Sequence, residues 1–507
     1  MSIPLIYLIN PEDVAETFTV KRTARFHHPY DDTISFFSHL SKNVWNQAQY
    51  IVDKYHTEFG IVPPYEEVDA ILNKQSYYKK NQDFDNYHKL GGATAQQILK
   101  VHNNAWISFK KGKKGYFENL DKDYTGIPKK PGFKKKDGEF ELIFTNQQIK
   151  FREKKDGSVY MTFPKNIQNN NGKKLRIKLG NMSDIDSYII NKLMSGKFDI
   201  VRIIPKGVGY TIEIVYDKEV INKNINNEIY QLDEDIIMAI DLGVENIAAI
   251  TDNIGNRPIV IKSDILKAEN QWYNKRSSEL KSIYDRNLLG CFLKRDKNGN
   301  IRYLTNKTGM KLDILTENRN NFVLDCLHKL SRSFIDHALS IKSKTIAFGR
   351  NTLWKQNVNI GKRNNQNFVQ IPHKKLIDLT RYKAEEYGID VVDIKEDHTS
   401  KCSFPDSEDI CHHDIYMGKR IYRGLFEASK GTKINADVQG SYNILRKIAE
   451  LIMKSNTKFD NVYPKFDVLY IMEGVAEHRL IPRRLSISDL MTKSFHNLGL
   501  NYHTIYR

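Results

Sequence analysis

Apolar positions along the chain change period several times. Between Thr17 and Phe26 (TFTVKRTARF) apolar and polar residues alternate, the two-residue period of a strand with basic side chains on its outer face. From Asp32 to His56 the spacing becomes helical, with Phe36, Leu40, Val44, Trp45 and Ile51 recurring on one side. Thr94–Lys110 (TAQQILKVHNNAWISFK) predicts a second helix carrying Ile98, Val101, Ala105 and Phe109. Phe140–Asp217 then breaks into short runs separated by turn formers: FELIFTNQQIKF, SVYMTFP, KLRIKLG, FDIVRIIPKG and YTIEIVYD. These runs predict a sheet or barrel that completes a fold begun by the first strand. The polar stretch Asn222–Asn227 (NKNINN) has no core pattern and reads as a linker.

Beyond the linker the pattern is α/β. Ile236–Asp241, Asn246–Thr251 and Pro258–Lys262 predict three meandering strands, with a turn at Gly255 and Asn256. A basic helix follows at Asp264–Arg286, then a Lys- and Gly-bearing loop at Leu289–Lys311, then a long amphipathic helix at Leu312–Ser340. Lys344–Gly349 is a fourth strand. His373–Tyr387 is a helix stopped by Gly388. Ile389–Lys395 is a fifth strand, and Asp437–Lys454 begins the last helix. Three meandering strands followed by helix, strand, helix, strand and helix is the order expected of an RNase H-like fold. Fold alone does not give function.

Charge adds a partner class to this picture. At 507 residues the chain has room for two to four domains with their own cores. Its net charge of +17 favours a polyanionic partner over a merely solvated basic surface. The clusters KKGKKGYF and KKPGFKKKDG, within Lys110–Gly138, mix cations with Gly, Pro and aromatics. That mixture suits a loop gripping a phosphate backbone with stacking nearby, a solvated loop being the alternative. Lys110, Lys111, Lys113, Lys114, Lys134 and Lys135 are its candidate contacts. The cysteines Cys291, Cys326, Cys402 and Cys411 are unevenly spaced, which predicts no disulfide framework and a reducing compartment. The start, MSIPLIYLINPEDVAE, lacks a basic n-region, and no segment is apolar for long enough to span a bilayer. A soluble, intracellular protein without a membrane partner is expected.

Three acidic residues are candidates for chemistry. Asp241 closes the first apolar run of IIMAIDLGVENIAAIT (Ile236–Thr251), where a carboxylate either caps the turn or requires a partner such as a metal ion. Glu396 lies just past the fifth strand in IKEDHTSK, as a surface acid beside Asp397 or as a second ligand. Asp437 opens the last helix in INADVQGSYNILRK, as its N-cap or as a third ligand. In an RNase H-like sheet the first strand is central and the last helix crosses its open end, so the three would converge. Hard oxygen donors of this kind suit Mg²⁺, or Mn²⁺, and two such ions about 4 Å apart serve phosphodiester hydrolysis.

The motifs then carry a resemblance. AIDLGVENIAAIT, the WKQ of Trp354–Gln356, GKRNNQNFVQIP (Gly361–Pro372), TSKCSF (Thr399–Phe404), GKRIYRGLF (Gly418–Phe426) and INADVQGSYNILRK resemble the OrfB/TnpB family of transposon-encoded nucleases. The Fanzor proteins are similar. TAQQILKVHNNAWISF and FTNQQIK (Phe144–Lys150) resemble the family's N-terminal half, so the likeness covers most of Thr17–Lys447. It implies an RNA-guided DNA endonuclease related to compact type V CRISPR effectors. Such a protein takes a structured noncoding guide RNA and a target double-stranded DNA, and reads a short motif beside the target. The fold implied is α+β, multidomain and bilobed. A wedge β-barrel would come from residues 1–30 and 139–221, with a helical recognition domain inserted at 31–138 and a linker at 222–235. An RNase H-like (RuvC) α/β nuclease domain would occupy 236–398, with a bridge-like helix near 264–286 carrying Trp272, Lys275, Arg276 and Lys281. A target-nucleic-acid-binding insert at 399–434, a last RuvC helix at 435–454 and an extension at 455–507 complete the layout. Asp241, Glu396 and Asp437 become the catalytic, metal-holding residues. The expected compartment is the cytoplasm or nucleoid of a prokaryote, or the nucleus in a eukaryotic or viral setting.

Two departures from the family pattern matter. Its usual glutamate follows the fourth strand, where KTIAFGRN has Gly349 and Arg350; a relocated Glu396 would supply the carboxylate. The family's zinc ribbon of two CxxC pairs is reduced to Cys402 and Cys411, followed by His412 and His413, and zinc is not expected. Lys419, Arg420 and Arg423 of that insert remain available to touch DNA. In the tail, Ile481–Leu490 (IPRRLSISDL) either contacts RNA or packs as an extension. Two rival functions remain open: a nuclease-inactive RNA-guided DNA binder, and a DNA-strand-transfer transposase.

Overall fold

The computed structural model describes residues 17–78, 85–118, 127–169, 171–207, 209–221, 231–289, 294–295, 301–302, 307–350, 371–455 and 482–487. The expected linker Asn222–Asn227, the WKQ motif and most of GKRNNQNFVQIP lie outside these residues. The chain divides into two compact units, Thr19–Glu219 and a second one made of Val220–Arg507 with Met1–Phe18.

In the first unit, β1 (Thr17–Pro29) precedes four helices: α1 (Asp32–Phe59), α2 (Tyr65–Tyr78), α3 (Asn86–Leu90) and α4 (Gly92–Glu118). The ends of α1 are written in the sequence. The Asp31 carboxylate accepts from the Ile34 amide at 3.0 Å, and Gly60 takes the left-handed conformation, φ +69°, that ends the helix. The strand-rich stretch then supplies β2 (Leu142–Thr145), β3 (Lys150–Glu153), β4 (Ser158–Thr162), β5 (Arg176–Asn181), β6 (Ile200–Lys206) and β7 (Gly209–Ile221). The expected sheet or barrel takes the form of two sheets, ordered β1-β7-β6-β2 and β3-β4-β5. One apolar core, including Trp45, Trp106, Phe144 and Tyr210, joins helices and strands. A short helix, α5 (Ser187–Met194), was not anticipated; its signal is the Asp186 cap followed by Ile189, Ile190 and Leu193.

Lys110–Gly138 is not one loop. Helix α4 continues to Glu118, so Lys110–Lys114 are helical. The second lysine cluster runs as an extended strap along α1. Trp45, Asn46 and Gln49 donate to the carbonyls of Gly132, Lys134 and Pro131 at 3.1, 3.1 and 2.9 Å. Ser41 donates to Glu141 O at 2.7 Å, and Lys42 to Lys136 O. These donors follow one another at helical spacing, so the strap's backbone satisfies most of a polar stripe buried on α1.

The second unit holds a six-stranded sheet ordered β14-β13-β8-β9-β10-β18. Its members are β8 (Asp233–Asp241), β9 (Asn246–Asp252), β10 (Ile259–Lys262), β13 (Ser343–Arg350), β14 (Asp390–Lys395) and β18 (Arg483–Ser486). Strands β8, β9 and β10 form the expected antiparallel meander, while β13 lies parallel to both β8 and β14. Helices α6 (Asp264–Leu289), α7 (Lys307–Ser340), α8 (His373–Ala384) and α9 (Ala436–Ser455) complete the order, with a two-residue ladder of β11 (Lys294–Arg295) and β12 (Ile301–Arg302) after α6. A three-stranded sheet of β15 (Lys419–Tyr422), β16 (Leu425–Glu427) and β17 (Lys433–Asn435) leads directly into α9. With helices and sheets in both units, the chain as a whole is α+β, as expected.

Side-chain parity sorts the large sheet into two faces. Met238, Ile240, Ile346 and Phe348 pack with the core that includes Phe334 of α7 and Leu376 of α8. Ile237, Ala239, Ala347 and Ile394 pack against Val438, Tyr442 and Leu445 of α9. The tail resolves in favour of packing. Arg483–Ser486 pairs in parallel with β10, and Leu485 and Ile487 are buried. Leu485→Ala is expected to cost about 2–4 kcal/mol, measured by chemical unfolding of the full chain.

Candidate active site

Parity also decides which side chains meet. Asp241 follows Ile237 and Ala239 in phase, so it points to the α9 face at the end of β8. Gly349 follows Ala347 in phase at the end of β13, and Phe348 before it pairs with Ile240. Glu396 follows Val392 and Ile394 in phase, one residue beyond β14. Three neighbouring parallel strands thus present their carboxyl ends to the start of α9.

Contacts at two glycines fix the arrangement. A Cβ on Gly440 of α9 would collide with the Asp241 carboxylate. A Cβ on Gly349 would collide with the Glu396 carboxylate and with Ile444. The Glu396 side chain therefore occupies the space that a side chain at position 349 would fill. Arg350, next in sequence, turns to the other face and pairs with Asp393 at 2.7 Å, as does Arg381 of α8 at 2.9 Å. The corner that carries Glu396 is pinned from α9: Lys447 donates to the carbonyls of Lys395 and Asp397, at 3.0 and 2.6 Å. Thr399 Oγ1 closes the turn onto Glu396 O at 2.9 Å, and His398 takes φ +64° within it.

Asp437 is not the cap of α9. Asn435 does that work, its side-chain oxygen accepting from the amides of Asp437 and Val438 at 3.0 and 3.2 Å. The Asp437 carboxylate is held instead by Asn246 Nδ2 at 2.6 Å and by Arg420 at 3.6 Å. Asn246, at the start of β9, was not among the anticipated residues; only its place in the DLGVEN turn could have signalled it.

The electrostatics are those of crowded acids. Burial, then repulsion from Glu396 and Asp437, holds the Asp241 carboxyl well above its usual range, with Arg420 pulling the other way. Burial pushes Glu396 to about 7, opposed by Lys447 and reinforced by Asp397. Among the described residues, no three His, Cys, Asp or Glu side chains stand close enough to hold an ion as placed. The donors nevertheless fit a hard divalent cation in kind. Asp241 and Glu396 repel one another in a desolvated corner where a cation would relieve both, and two glycines leave room for their carboxylates.

The remaining anticipated residues fall in several places. Lys110, Lys111, Lys113, Lys114 and Lys135 are exposed. Lys134 is not free: its ammonium lies 4.3 Å from the Trp45 ring centroid and 4.6 Å from that of Phe140. On α6, Trp272 and Lys275 are exposed and Arg276 pairs with Glu279 at 2.8 Å. Lys419 is exposed on β15, beside Arg420, and Arg423 lies 3.9 Å from Glu245. In the insert, the buried Cys402 thiol faces Cys411 O, while the exposed Cys411 thiol faces His413 Nε2, both at 3.4 Å. The loop is crossed by carboxylates: Glu408 accepts from the amides of Ser403 and Met417, and Asp406 from the amide of Ser429.

Comparison with known proteins finds similarity in the second unit of the chain. A family model described as a probable transposase, OrfB of the IS605 type, matches residues 221–354. A second, described as the TNB domain of Cas12f1-like proteins, matches residues 373–444. TnpB-like protein ORF457 of Acidianus two-tailed virus is 28% identical over 231 residues, spanning 44% of this chain and 44% of that protein. The match therefore covers less than half of that relative's length. These segments of the chain are similar to the TnpB family. Among solved structures, a Cas12f1–sgRNA–target DNA complex aligns with a TM-score of 0.47 at 14% identity, over 84% of this chain and 98% of that one. The mini-RNA-guided endonuclease CRISPR-Cas_phi3 aligns with a TM-score of 0.38 at 12% identity, over 85% and 92%. No helix among the described residues is long and apolar enough to cross a membrane.

Two measurements follow from the crowded acids. Because the folded pKa values of Asp241 and Glu396 are raised, their charged forms weaken the fold as pH rises, for Glu396 between about 4.5 and about 7 and for Asp241 from 3.8 upward. Asp241→Asn should therefore raise the Tm of the chain in chelator at neutral pH, by about 1–2 °C per kcal/mol recovered. The gain should shrink towards zero as pH falls below 3.8, read by calorimetry. Gly349→Ala should displace Glu396 and Ile444 and cost about 1–3 kcal/mol in chemical unfolding.

Proposed function

We propose that this chain is an RNA-guided DNA endonuclease whose phosphodiester-cleaving site is formed by Asp241, Glu396 and Asp437. The observation that carries the reading is the Glu396 side chain lying over Gly349, on the same face and at the same strand ends as Asp241. A relocated glutamate thereby stands where the family's usual one would reach. In this reading the six-stranded sheet with α7, α8 and α9 is an RNase H-like, RuvC-type nuclease domain. The first unit acts as wedge and recognition domain, with its barrel represented by the two sheets, and residues 399–434 touch the target.

Mg²⁺ or Mn²⁺, bound by the three carboxylates, would supply Lewis acidity at the scissile phosphate and stabilise the leaving oxygen. The chain's own residues prepare that binding. Asp241 is fixed against Gly440, and Glu396 is steered by the Lys447-pinned corner. Asn246 orients Asp437, and Arg420 lies within reach to meet a phosphate or to balance the carboxylates. Net charge of +17 supports guide RNA and target DNA as partners, because a protein of this kind reads duplex backbone and shape while base pairing reads sequence.

The test is cleavage of a guide-matched plasmid by the protein–RNA complex with Mg²⁺, comparing wild type with Glu396→Ala. Wild type should cut, and the variant should bind the target while cutting about 100-fold more slowly or worse. Equal cutting would remove Glu396 from the site. Binding without cutting by both would favour the nuclease-inactive binder, and joining of donor DNA ends to the target would favour the strand-transfer reading.

A further inference from the structure

The strap of the first unit brings two separate lysine clusters to one place. A Cβ on Gly112, in the middle of Lys110–Lys114, would lie 3.4 Å from Pro128 Cγ at the beginning of the strap. From there the strap follows α1 backwards. Lys130 pairs with Asp53 at 2.6 Å, and Phe140 N donates to Ser38 O at 3.0 Å. Fifteen helical residues separate Asp53 from Ser38, so the track extends about 22 Å.

The strap's side chains divide by role. Lys134 turns inward over Trp45 and Phe140, and Lys130 is taken up by Asp53. Phe133, between them, is 57% exposed although its backbone neighbours are pinned to α1. Lys129 and Lys135 are exposed on either side of it and form no ion pair among the described residues. The result is an aromatic ring carried outward on a pinned backbone between two exposed cations. It matches the chemistry of a nucleic-acid strand, which offers a flat base and a phosphate at each step.

We propose that Pro128–Gly138 and the Lys110–Lys114 turn of α4 form one docking track for a nucleic-acid strand, with Phe133 stacking a base while Lys129, Lys135 and the α4 lysines meet phosphates. The proposal rests on the reading above only for the class of partner. It concerns binding, so a chain that binds without cutting leaves it standing. It also reverses one expectation: Lys134 builds the track from inside and makes no phosphate contact.

The experiment uses the full chain, freed of nucleic acid, titrated with single-stranded RNA and DNA oligonucleotides of about 12 nucleotides carrying 2-aminopurine. Phe133→Ala should weaken binding roughly 5- to 150-fold and remove the stacking quench of 2-aminopurine, while Phe133→Trp keeps both. Lys129→Ala with Lys135→Ala should lower the slope of log affinity against log salt by about 1.4. Lys155→Ala, on the exposed turn between β3 and β4, is the control and should change neither the quench nor the track's affinity beyond about twofold. An effect on RNA alone, or on DNA alone, supports the track and identifies its strand. Binding of both by Phe133→Ala within about twofold of wild type, with the Tm unchanged, overturns it; so does an equal loss in Lys155→Ala.

Discussion

The site depends on how closely α9 approaches the sheet. The floor beneath it includes the small residues Ala239, Ala249, Ala347 and Gly349, and the helix sets Gly440 against Asp241. Larger side chains there would lift the helix, and Asp437 with it, away from Asp241. The approach is fastened by polar groups rather than by apolar area alone. Ser441 donates to Ala239 O at 3.0 Å and shares a hydrogen bond with Thr251 at 2.9 Å. Asn443 reaches the carbonyls of Thr399 and Cys402, both at 2.8 Å, and Gln439 also reaches Cys402 O at 3.0 Å. The amide nitrogens that donate in this way fix register, because any sliding of the helix leaves them unpaired.

The same fastening joins chemistry to the insert. Cys402, whose carbonyl receives both amides, begins the loop that the Glu408 and Asp406 carboxylates cross-link. Phe404 stacks on Tyr442 of α9 with ring centroids 4.4 Å apart. The sheet that leads back from this loop carries Arg420 to Asp437. A displacement of the insert is therefore felt at the third carboxylate through covalent connection and through an ion pair. Its partners, half-exposed, make that pair weak in water and open to competition from phosphate.

In the first unit the corresponding constraint is the polar stripe of α1. Ser38, Ser41, Lys42 and Gln49 are buried, a composition that would ordinarily weaken a core. The strap makes it tenable by supplying carbonyls to Ser41, Lys42 and Gln49, while the Ser38 hydroxyl has no hydrogen-bond partner among the described residues. His102, at 2.9 Å from the Gln49 oxygen, extends the network to α4, and burial pushes its imidazole down to about 4, so it stays neutral at physiological pH.

Much of the order of elements was legible in the sequence, because burial on one face leaves a period of two or of 3.6 that survives without an alignment. The meander, the fourth and fifth strands, Gly388 at a helix end and the carboxylate-bearing positions follow from that rule and from turn chemistry. What the sequence could not contain is which distant segments share a face. Lys110–Lys114 read as loop because lysine and glycine signal solvent, whereas α4 simply continues along an exposed side. Lys134 read as a phosphate contact because the chain does not announce that Trp45 lies beneath it. The tail's IPRRLSIS read as ambiguous, since an edge strand needs only two buried residues, Leu485 and Ile487, and a vacant neighbour in β10. Glu396 was placed near the site by its position just past the fifth strand and by the family resemblance. Only the tertiary structure put its carboxylate over Gly349, because that juxtaposition is a property of two strands in parallel register and not of either sequence.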